Sequence, residues 1–433
     1  MRQPFALLAI ALLCFLAYAP SLSLPLFEDD YGNLIQAQVY GPAAGLPQLM
    51  HDAVFRLRAT SYWAMWLLWR AFHLTPWGYH LASLILHIAN AWLVYALAAS
   101  WRSTRPAAFW AAAFFAVAEG HQEAVIWFSA INELLLFFFG AASLLCWVRA
   151  DRSRRPWLLR LGSVVMFALA LLSKESAVIL LPLFLLLSAA PRRRAALRLA
   201  PHIALAGLAM ASVLASSANS FRFSDGSFSL AAPFWVTWPR AVARLLWVWG
   251  WLSLATLATL RARDVGKPAL AGGTACPTYS AARPAWLAFA WMALALLPYS
   301  FLTYSTQIPS RQTYLASAGL AFLAGLALAR LSAWKPSGPR LAAAAAAVTL
   351  LANVGYLWTR KRAQFLERAE PTEQLIALAR RATGPIWVRC FPRSAYIAQT
   401  AVQLGAGRPP SILVWSEAEA IRRGASEFCY RGR

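Results

Sequence analysis

Apolar runs long enough to cross a bilayer recur through most of this 433-residue chain. A hydrocarbon core about 30 Å thick takes roughly 20 residues of helix to span, and inside it every backbone polar group must be satisfied within the segment. Length and hydropathy place about eleven such spans, over 5–24, 80–99, 107–119, 133–148, 158–173, 176–190, 200–217, 240–260, 285–303, 314–331 and 341–358. Hydrophobic residues make up 60% of the chain and charged ones only 13%, too few charges to cover a soluble domain of this size. The expectation is an all-α polytopic membrane domain over 1–358, with a first outer loop at 25–79, and then a small soluble α/β domain over 359–433. The run 5–24 reads as a retained first helix, because more spans follow it where a cleaved signal peptide leads into a soluble chain.

The formal charge of +23 invites a nucleic-acid reading, but the distribution of the arginines argues against it. They stand in short blocks between apolar runs, as in cytoplasmic loops. Arg102 and Arg105 fill one such loop, Arg149, Arg152, Arg154 and Arg155 a second, and Arg192, Arg193, Arg194 and Arg198 a third. Arg261, Arg263, Lys267 and Arg283 flank a fourth, and Lys335 and Arg340 a fifth. With the spans as placed, all five fall on one side, which the positive-inside rule makes cytoplasmic. The opposite loops collect Asp29, Asp30, His121, Glu123, Glu133, Lys174, Glu175 and Arg311 on the outer face. The basic run Arg360–Arg362 argues for a cytoplasmic tail. The odd span count puts the tail outside, and long terminal segments obey the charge rule poorly. Outside is therefore the expectation.

The outer-face clusters each admit a plain and a chemical reading. Glu28, Asp29 and Asp30 are either a solvated acidic loop or a general base with a neighbour that orders it or holds a divalent cation; a hydroxyl is a poor nucleophile until a carboxylate within reach takes its proton. Glu119, His121, Glu123, Trp127, Asn132 and Glu133 form either a hydrated helix cap or the lining of a polar site. Ser173-Lys174-Glu175 is either a tight turn with a snorkelling lysine or a costly charge pair kept for function. Arg311, the lone base of its loop, and Arg58, which opens a Trp/Tyr-rich interfacial run to His73, suit a phosphate because a guanidinium fork donates two parallel hydrogen bonds. Either could instead bind anionic headgroups without specificity. His80, His87 and Asn90 share one face of a span and suit interhelical hydrogen bonds. In the tail, a helix is expected over about 361–382, with strands at Ile386–Cys390 and Ile412–Trp415 and a helix between them. The five cysteines show no metal-ligand spacing; Cys390 and Cys429 either pair or stay free.

These residues resemble the GT-C class of membrane glycosyltransferases, most nearly the protein O-mannosyltransferases and the TPR-containing O-mannosyltransferase-like proteins. The resemblance covers roughly 1–330 and rests on five short matches in order: Asp29-Asp30; Arg58 with Tyr62-Trp63; Phe115-Ala116-Val117 with His121-Gln122-Glu123-Ala124-Val125, after His80 and His87; Ser173-Lys174-Glu175; and Arg311 with Tyr314, Leu315 and Gly319. It implies a polyprenyl-phosphate sugar donor and an inverting single displacement with Asp29 or Asp30 as base. Arg58, Lys174 and Arg311 would hold the lipid phosphate. His121, Glu123 and Glu133, with Glu175, would shape the sugar or acceptor pocket, in a bacterial inner membrane and facing the periplasm. It leaves the acceptor (protein, lipid or glycan) and a divalent metal open. The chain departs from the family at Ala118-Glu119, where a His-Pro pair stands, at Ile131-Asn132-Glu133, where Arg-x-Asp stands, at Ala59 after Arg58, and in a tail without TPR repeats. A non-catalytic scaffold and a flippase for lipid-linked sugars are the rival readings. A flippase would place its polar residues near the midplane in inverted repeats, and neither is seen.

Overall fold

The computed structural model describes residues 3–215, 228–265, 282–303 and 308–432. Lys267, from the fourth basic loop, lies outside them. Among the described residues seven helices are long and apolar enough to cross a membrane: Gln3–Ser23, Pro76–Ala99, Phe128–Ala150, Phe234–Arg261, Ala282–Phe301, Ser310–Ser332 and Gly338–Arg381. Arg192–Arg198 and Ala200–Ala215, bent by 55°, make one more if taken together, and Arg105–Val117, Pro156–Leu171 and Glu175–Leu187 are shorter apolar helices. Every expected span therefore finds a helix. Several begin with Pro at their first positions, as at Pro76 and Pro156, where the missing N–H breaks no ladder bond.

The two ends of the bundle differ as loop charge foretells. Arg192 and Arg283 line one cavity with Trp101 and Thr104, and Arg198 reaches Asp151 at 2.7 Å, so four basic loops share one end. The acidic and histidine-bearing loops share the other. Along the first helix Phe5, Leu8, Leu12 and Phe15 are each at least half exposed and recur on one face, the pattern of a lipid-facing surface.

The helix Tyr314–Ser332 runs through the middle. It packs against Ala282–Leu296, Ala108–Val117 and Phe234–Val265, and Ala316, Ala318, Gly319, Ala321, Ala324, Gly325 and Ala327 are buried along it. In a lipid-like solvent, helices gain little from excluding water; close backbone approach through small residues drives their packing. A Cβ on Gly319 would stand 2.4 Å from the Ala288 carbonyl oxygen, and one on Gly325 2.7 Å from the Cβ of Ala111.

Between the first two spans lie Asp30–Tyr40, Leu46–His51 and Ala59–Phe72, the last matching the expected interfacial helix. At the other end of the chain, Gly338–Arg381 is one helical run of 44 residues, broken only by a π-turn at Leu357–Lys361. The run covers about 66 Å, so it carries the chain well past the apolar zone. A three-stranded parallel sheet follows, ordered β2-β1-β3, with β1 Ile386–Cys390, β2 Leu413–Val414 and β3 Ser426–Cys429. The first two strands and the helix between them are as expected. β3 is not, because only Phe428 of its four residues is buried and no alternation shows. Cys390 and Cys429 pair in a disulfide across β1 and β3.

Replacing Gly319 by Val is expected to cost about 1–3 kcal/mol by overpacking and to lower the melting temperature in detergent by several degrees. Gly207→Ala, where a Cβ meets nothing within 4 Å, should leave it unchanged; thermal unfolding of the two purified variants checks this.

Candidate active site

The acidic turn after the first span is built around Asp30. It is fully buried, at the first position of its helix, and accepts from the Phe27 N–H at 3.0 Å, the Ser129 N–H at 2.8 Å and the Ser129 hydroxyl at 2.5 Å. Burial pushes its carboxyl up to about 7, against hydrogen bonds that favour the ionised form. Asp30 thus ties the first loop to the segment before the helix Ile131–Ala150, and its oxygens are occupied. Asp29, one residue earlier, is the reverse. Its side chain makes no capping hydrogen bond to the helix it precedes, and the residue lines a cavity of about 680 Å³. Burial, then repulsion from Glu28, raises its pKa, while Arg311, Arg368 and Arg393 pull it down. A partly desolvated carboxylate so poised is a better base than a solvated one.

Around that cavity stand Arg58, Glu133, Lys174, Glu175 and Arg311 together with Trp127, Asn132 and Tyr299. Six of the nine residues singled out from sequence therefore line it with Asp29 included. Arg58 is buried and bidentate: one nitrogen donates to the Ser173 carbonyl at 3.1 Å, the other meets Glu175 at 2.9 Å. Thr60 meets the same turn through its N–H to the Leu172 carbonyl at 3.2 Å and its hydroxyl to that of Ser173 at 2.7 Å. The Ser-Lys-Glu turn is thereby docked onto the start of the interfacial helix. Lys174 pairs with Glu133, both nearly buried, and lies 4.7 Å over the Tyr299 ring. Tyr299 donates to Glu133 at 3.3 Å. A desolvated pair of this kind contributes little net stability, but loss of one partner leaves an uncompensated charge.

Arg311 enters from the segment before the central helix. Its N–H and the Ser310 hydroxyl donate to Glu123 at 3.1 and 2.9 Å, its guanidinium lies 3.7 Å from Glu123, and it stacks 4.9 Å from the Trp127 ring. All three cations have a carboxylate partner, but Arg58 and Lys174 are buried in close pairs while Arg311 lies 3.7 Å from Glu123 and is about a quarter exposed, so it is the more available cation on this wall.

Three sequence-derived residues lie off the main cavity. Asp30 is one, and Glu123 acts by anchoring Arg311. His121 is fully buried and hydrogen-bonds Ser317 at 2.6 Å, packed among Phe115, His87 and Tyr314. It borders a second cavity of about 590 Å³, which shares Tyr299 and Leu302 with the first and is lined by Glu119, Arg240, Arg244 and Lys361. The departure Ala118-Glu119 thus places a new carboxylate in that second cavity. His87 and Asn90 do make interhelical hydrogen bonds, to the Tyr314 hydroxyl at 2.7 and 3.2 Å.

No sequence signal marked Arg368 or Arg393. They come from the basic tail, where nothing separates them from solvated arginines, yet both bind Glu28. Among the described residues no group of three or more His, Cys, Asp and Glu side chains is placed to hold a metal ion. Glu28 and Asp30, the natural co-ligands for Asp29, are already taken by arginines and by Ser129. The residues as arranged do not form a metal site.

The fold is that of the GT-C class of membrane glycosyltransferases. Residues 60–217 match the family model of dolichyl-phosphate-mannose-protein mannosyltransferases. The chain is similar in structure to ArnT from Cupriavidus metallidurans, at 13% identity and a TM-score of 0.58 in the apo state, covering 97% of this chain and 88% of that one. ArnT bound to undecaprenyl phosphate gives 14%, 0.55, 99% and 90%. It is also similar to the oligosaccharyltransferase AglB from Archaeoglobus fulgidus, in complex with an inhibitory peptide and a dolichol-phosphate, at 12% identity and a TM-score of 0.55 over 96% of this chain. The present chain spans 64% of the length of that protein. No curated protein matches it in sequence.

Lys174→Ala is expected to destabilise the protein by about 3–5 kcal/mol, since Glu133 would stay buried without a partner. Lys174→Met combined with Glu133→Leu should recover most of that loss. Denaturation of the three proteins in one detergent tests the pair.

Proposed function

We propose that this protein transfers a sugar from a polyprenyl-phosphate donor to a hydroxyl acceptor at the periplasmic face of a bacterial inner membrane. The observation that carries the reading is the outer-end cavity, whose wall holds the Asp29 carboxylate together with Arg58, Lys174 and Arg311. A similar fold in ArnT binds undecaprenyl phosphate, and in AglB it accompanies a dolichol-phosphate and a peptide. Nucleotide sugars stay in the cytoplasm, so an enzyme working outside needs a lipid-borne donor. The arginine-rich loops at the opposite end and the Cys390–Cys429 disulfide, which suits an oxidising compartment, support an outward-facing site. The tail then lies on the same side, as the odd span count has it.

In the proposed step Asp29 takes the proton from the acceptor hydroxyl as its oxygen attacks the anomeric carbon. The bond from that carbon to the phosphate oxygen breaks, and the lipid phosphate leaves with the electron pair. A phosphate is a good leaving group, so a strong general acid is not required. Charge grows on its oxygens during the step, and a fixed cation nearby lowers the barrier. Arg311, the most exposed of the three and the most loosely paired, is the cation best placed for this, while Arg58 and Lys174 act from within buried ion pairs. Glu133 and Glu175 shape the walls, Glu123 anchors Arg311, and His121 borders the neighbouring cavity. Asp30 keeps the turn in place and does not itself take a proton from substrate.

The two aspartates separate by experiment. Asp29→Asn should retain binding of a radiolabelled polyprenyl-phosphate hexose and lose turnover by about 10²–10⁴-fold. Asp30→Asn should chiefly lower the melting temperature, since one of its acceptor oxygens becomes a donor facing donors, a cost of about 1–3 kcal/mol. If no donor in a broad panel stabilises the wild type, the transferase reading fails and a scaffold or flippase takes its place.

A further inference from the structure

The C-terminal segment reaches the acidic turn from the other end of the chain, and Glu28 is where the two meet. Glu28 has a backbone φ of 51°, a region that non-glycine residues seldom occupy and that costs free energy unless the surroundings enforce it. Its side chain is only 8% exposed and both oxygens are engaged: Arg368 binds in fork geometry at 2.5 and 3.1 Å, and Arg393 lies at 2.9 Å. Arg368 is itself held in place. It stacks on Trp127 and Phe27 at 4.9 and 5.4 Å, and it lies 3.6 Å from Glu123. Just after Arg393, Tyr396 seats against the helix that Asp29 caps. A Cβ on Gly32 would stand 2.8 Å from the Tyr396 ring, and the Tyr396 hydroxyl accepts from Gln36 at 3.3 Å. An exposed ion pair would contribute almost nothing; a buried, forked and stacked one fixes a geometry.

We propose that Arg368 and Arg393 are positioning residues for the transfer: through Glu28 they hold the acidic turn so that Asp29 faces the cavity as a charged base. This rests on the reading of Asp29 given above. The groups facing Asp29 are Glu28 from its own turn, Arg311 from the segment before the central helix, Arg368 from the C-terminal helix, and Arg393 and Tyr396 from the stretch after β1. Arg58 and Lys174 face it across the cavity. Burial and Glu28 raise the Asp29 pKa and the three guanidiniums lower it. Removing an arginine of the tail therefore has a definite sign. Glu28 stays buried beside Asp29 with less compensation, so Asp29 holds its proton to higher pH. Removing Glu28 acts in the opposite sense.

The test reads the Asp29 proton directly. Dicyclohexylcarbodiimide reacts with protonated carboxyls, so its labelling of Asp29 in the full chain, quantified by peptide mass spectrometry across pH, follows protonation without any donor. Arg393→Gln and Arg368→Gln should shift the labelling curve to higher pH, giving about tenfold more label at a fixed pH on its flank for a displacement of one pH unit. Arg393→Lys should lie near wild type. Glu28→Gln should shift the curve to lower pH, and the Glu28→Gln/Arg393→Gln pair should return toward wild type. Melting curves measured alongside identify any variant that does not fold; should both arginine variants fail to fold, Glu28→Gln still decides the sign. If both arginine variants melt earlier but superimpose on the wild-type labelling curve, they only clamp the tail and the inference is overturned. With a labelled polyprenyl-phosphate donor, the acid limb of kcat should move in step with the labelling curve. A shifted labelling curve in a protein that consumes no donor would sink the transferase reading and leave the coupling of tail to turn standing.

Discussion

An ionised group at the rim of an apolar bundle must be solvated, paired or given up, and the outer end of this protein is arranged by that requirement. Only 17 of its residues are acidic against 40 lysines and arginines, so carboxylates are the scarce partner. Those at the outer end are nearly all committed: Glu175 to Arg58, Glu133 to Lys174, Glu123 to Arg311, Glu28 to Arg368 and Arg393. Each pair also joins two segments distant in sequence, so the ion pairs determine how the loops sit on one another. Asp29, on the wall of the main cavity, and Glu119, in the neighbouring one, are in none of these pairs. The proposed role of Asp29 as base rests on this contrast, since the paired neighbours hold the turn in position while Asp29 stays out of the pairing.

The membrane-spanning part could be read from the chain because the solvent imposes a coarse rule. Lipid demands about 20 apolar residues per crossing and disfavours arginine on one side, and both leave long, redundant traces. The gathering of Asp29, Glu133, Lys174, Glu175 and Arg311 follows from the same trace, since alternation of sides puts them at one end whatever their contacts. Finer distinctions left no such trace. Asp29 and Asp30 are the same residue type in adjacent positions, and only the register of the helix beginning at Asp30, with Ser129 placed opposite, decides which one is tied down. In sequence Lys174 stands beside Glu175 as a charge pair and Arg58 stands alone; in space Glu175 pairs with Arg58 and Lys174 with Glu133, partners that no spacing reveals. β3 carries one buried residue and pairs with β1 across a gap of tens of residues, so no local alternation betrays it.

The departures from the mannosyltransferase pattern have a consistent physical outcome. Where the family has Arg-x-Asp, this chain has Ile131 buried, Asn132 on the cavity wall and Glu133 paired with Lys174. Where it has His-Pro, Ala118 accepts the Tyr18 hydroxyl at 2.7 Å, and Glu119 faces Arg240, Arg244 and Lys361 in the neighbouring cavity. The residues at both departures thus have partners or cavity positions of their own in this chain. The scaffold tolerates this because its packing rests elsewhere, on the small residues of the central helix, which approach their neighbours through backbone and Cβ and make no use of the site.

The contact between Glu28 and Arg368 joins residues 340 positions apart. A ribosome makes the acidic turn among the first segments of the chain and the arginines that restrain it among the last, after nearly every span. Closing so long a loop is slow and entropically costly until the intervening helices have assembled. Until then Glu28 lacks the two arginines that engage it in the folded protein. On the proposed function, the acidic turn is ordered only once the whole bundle has folded around it, which makes the C-terminal segment a timer as well as a wall: a chain stalled or truncated before it carries the residues that line the main cavity and still lacks the arginines that hold the turn.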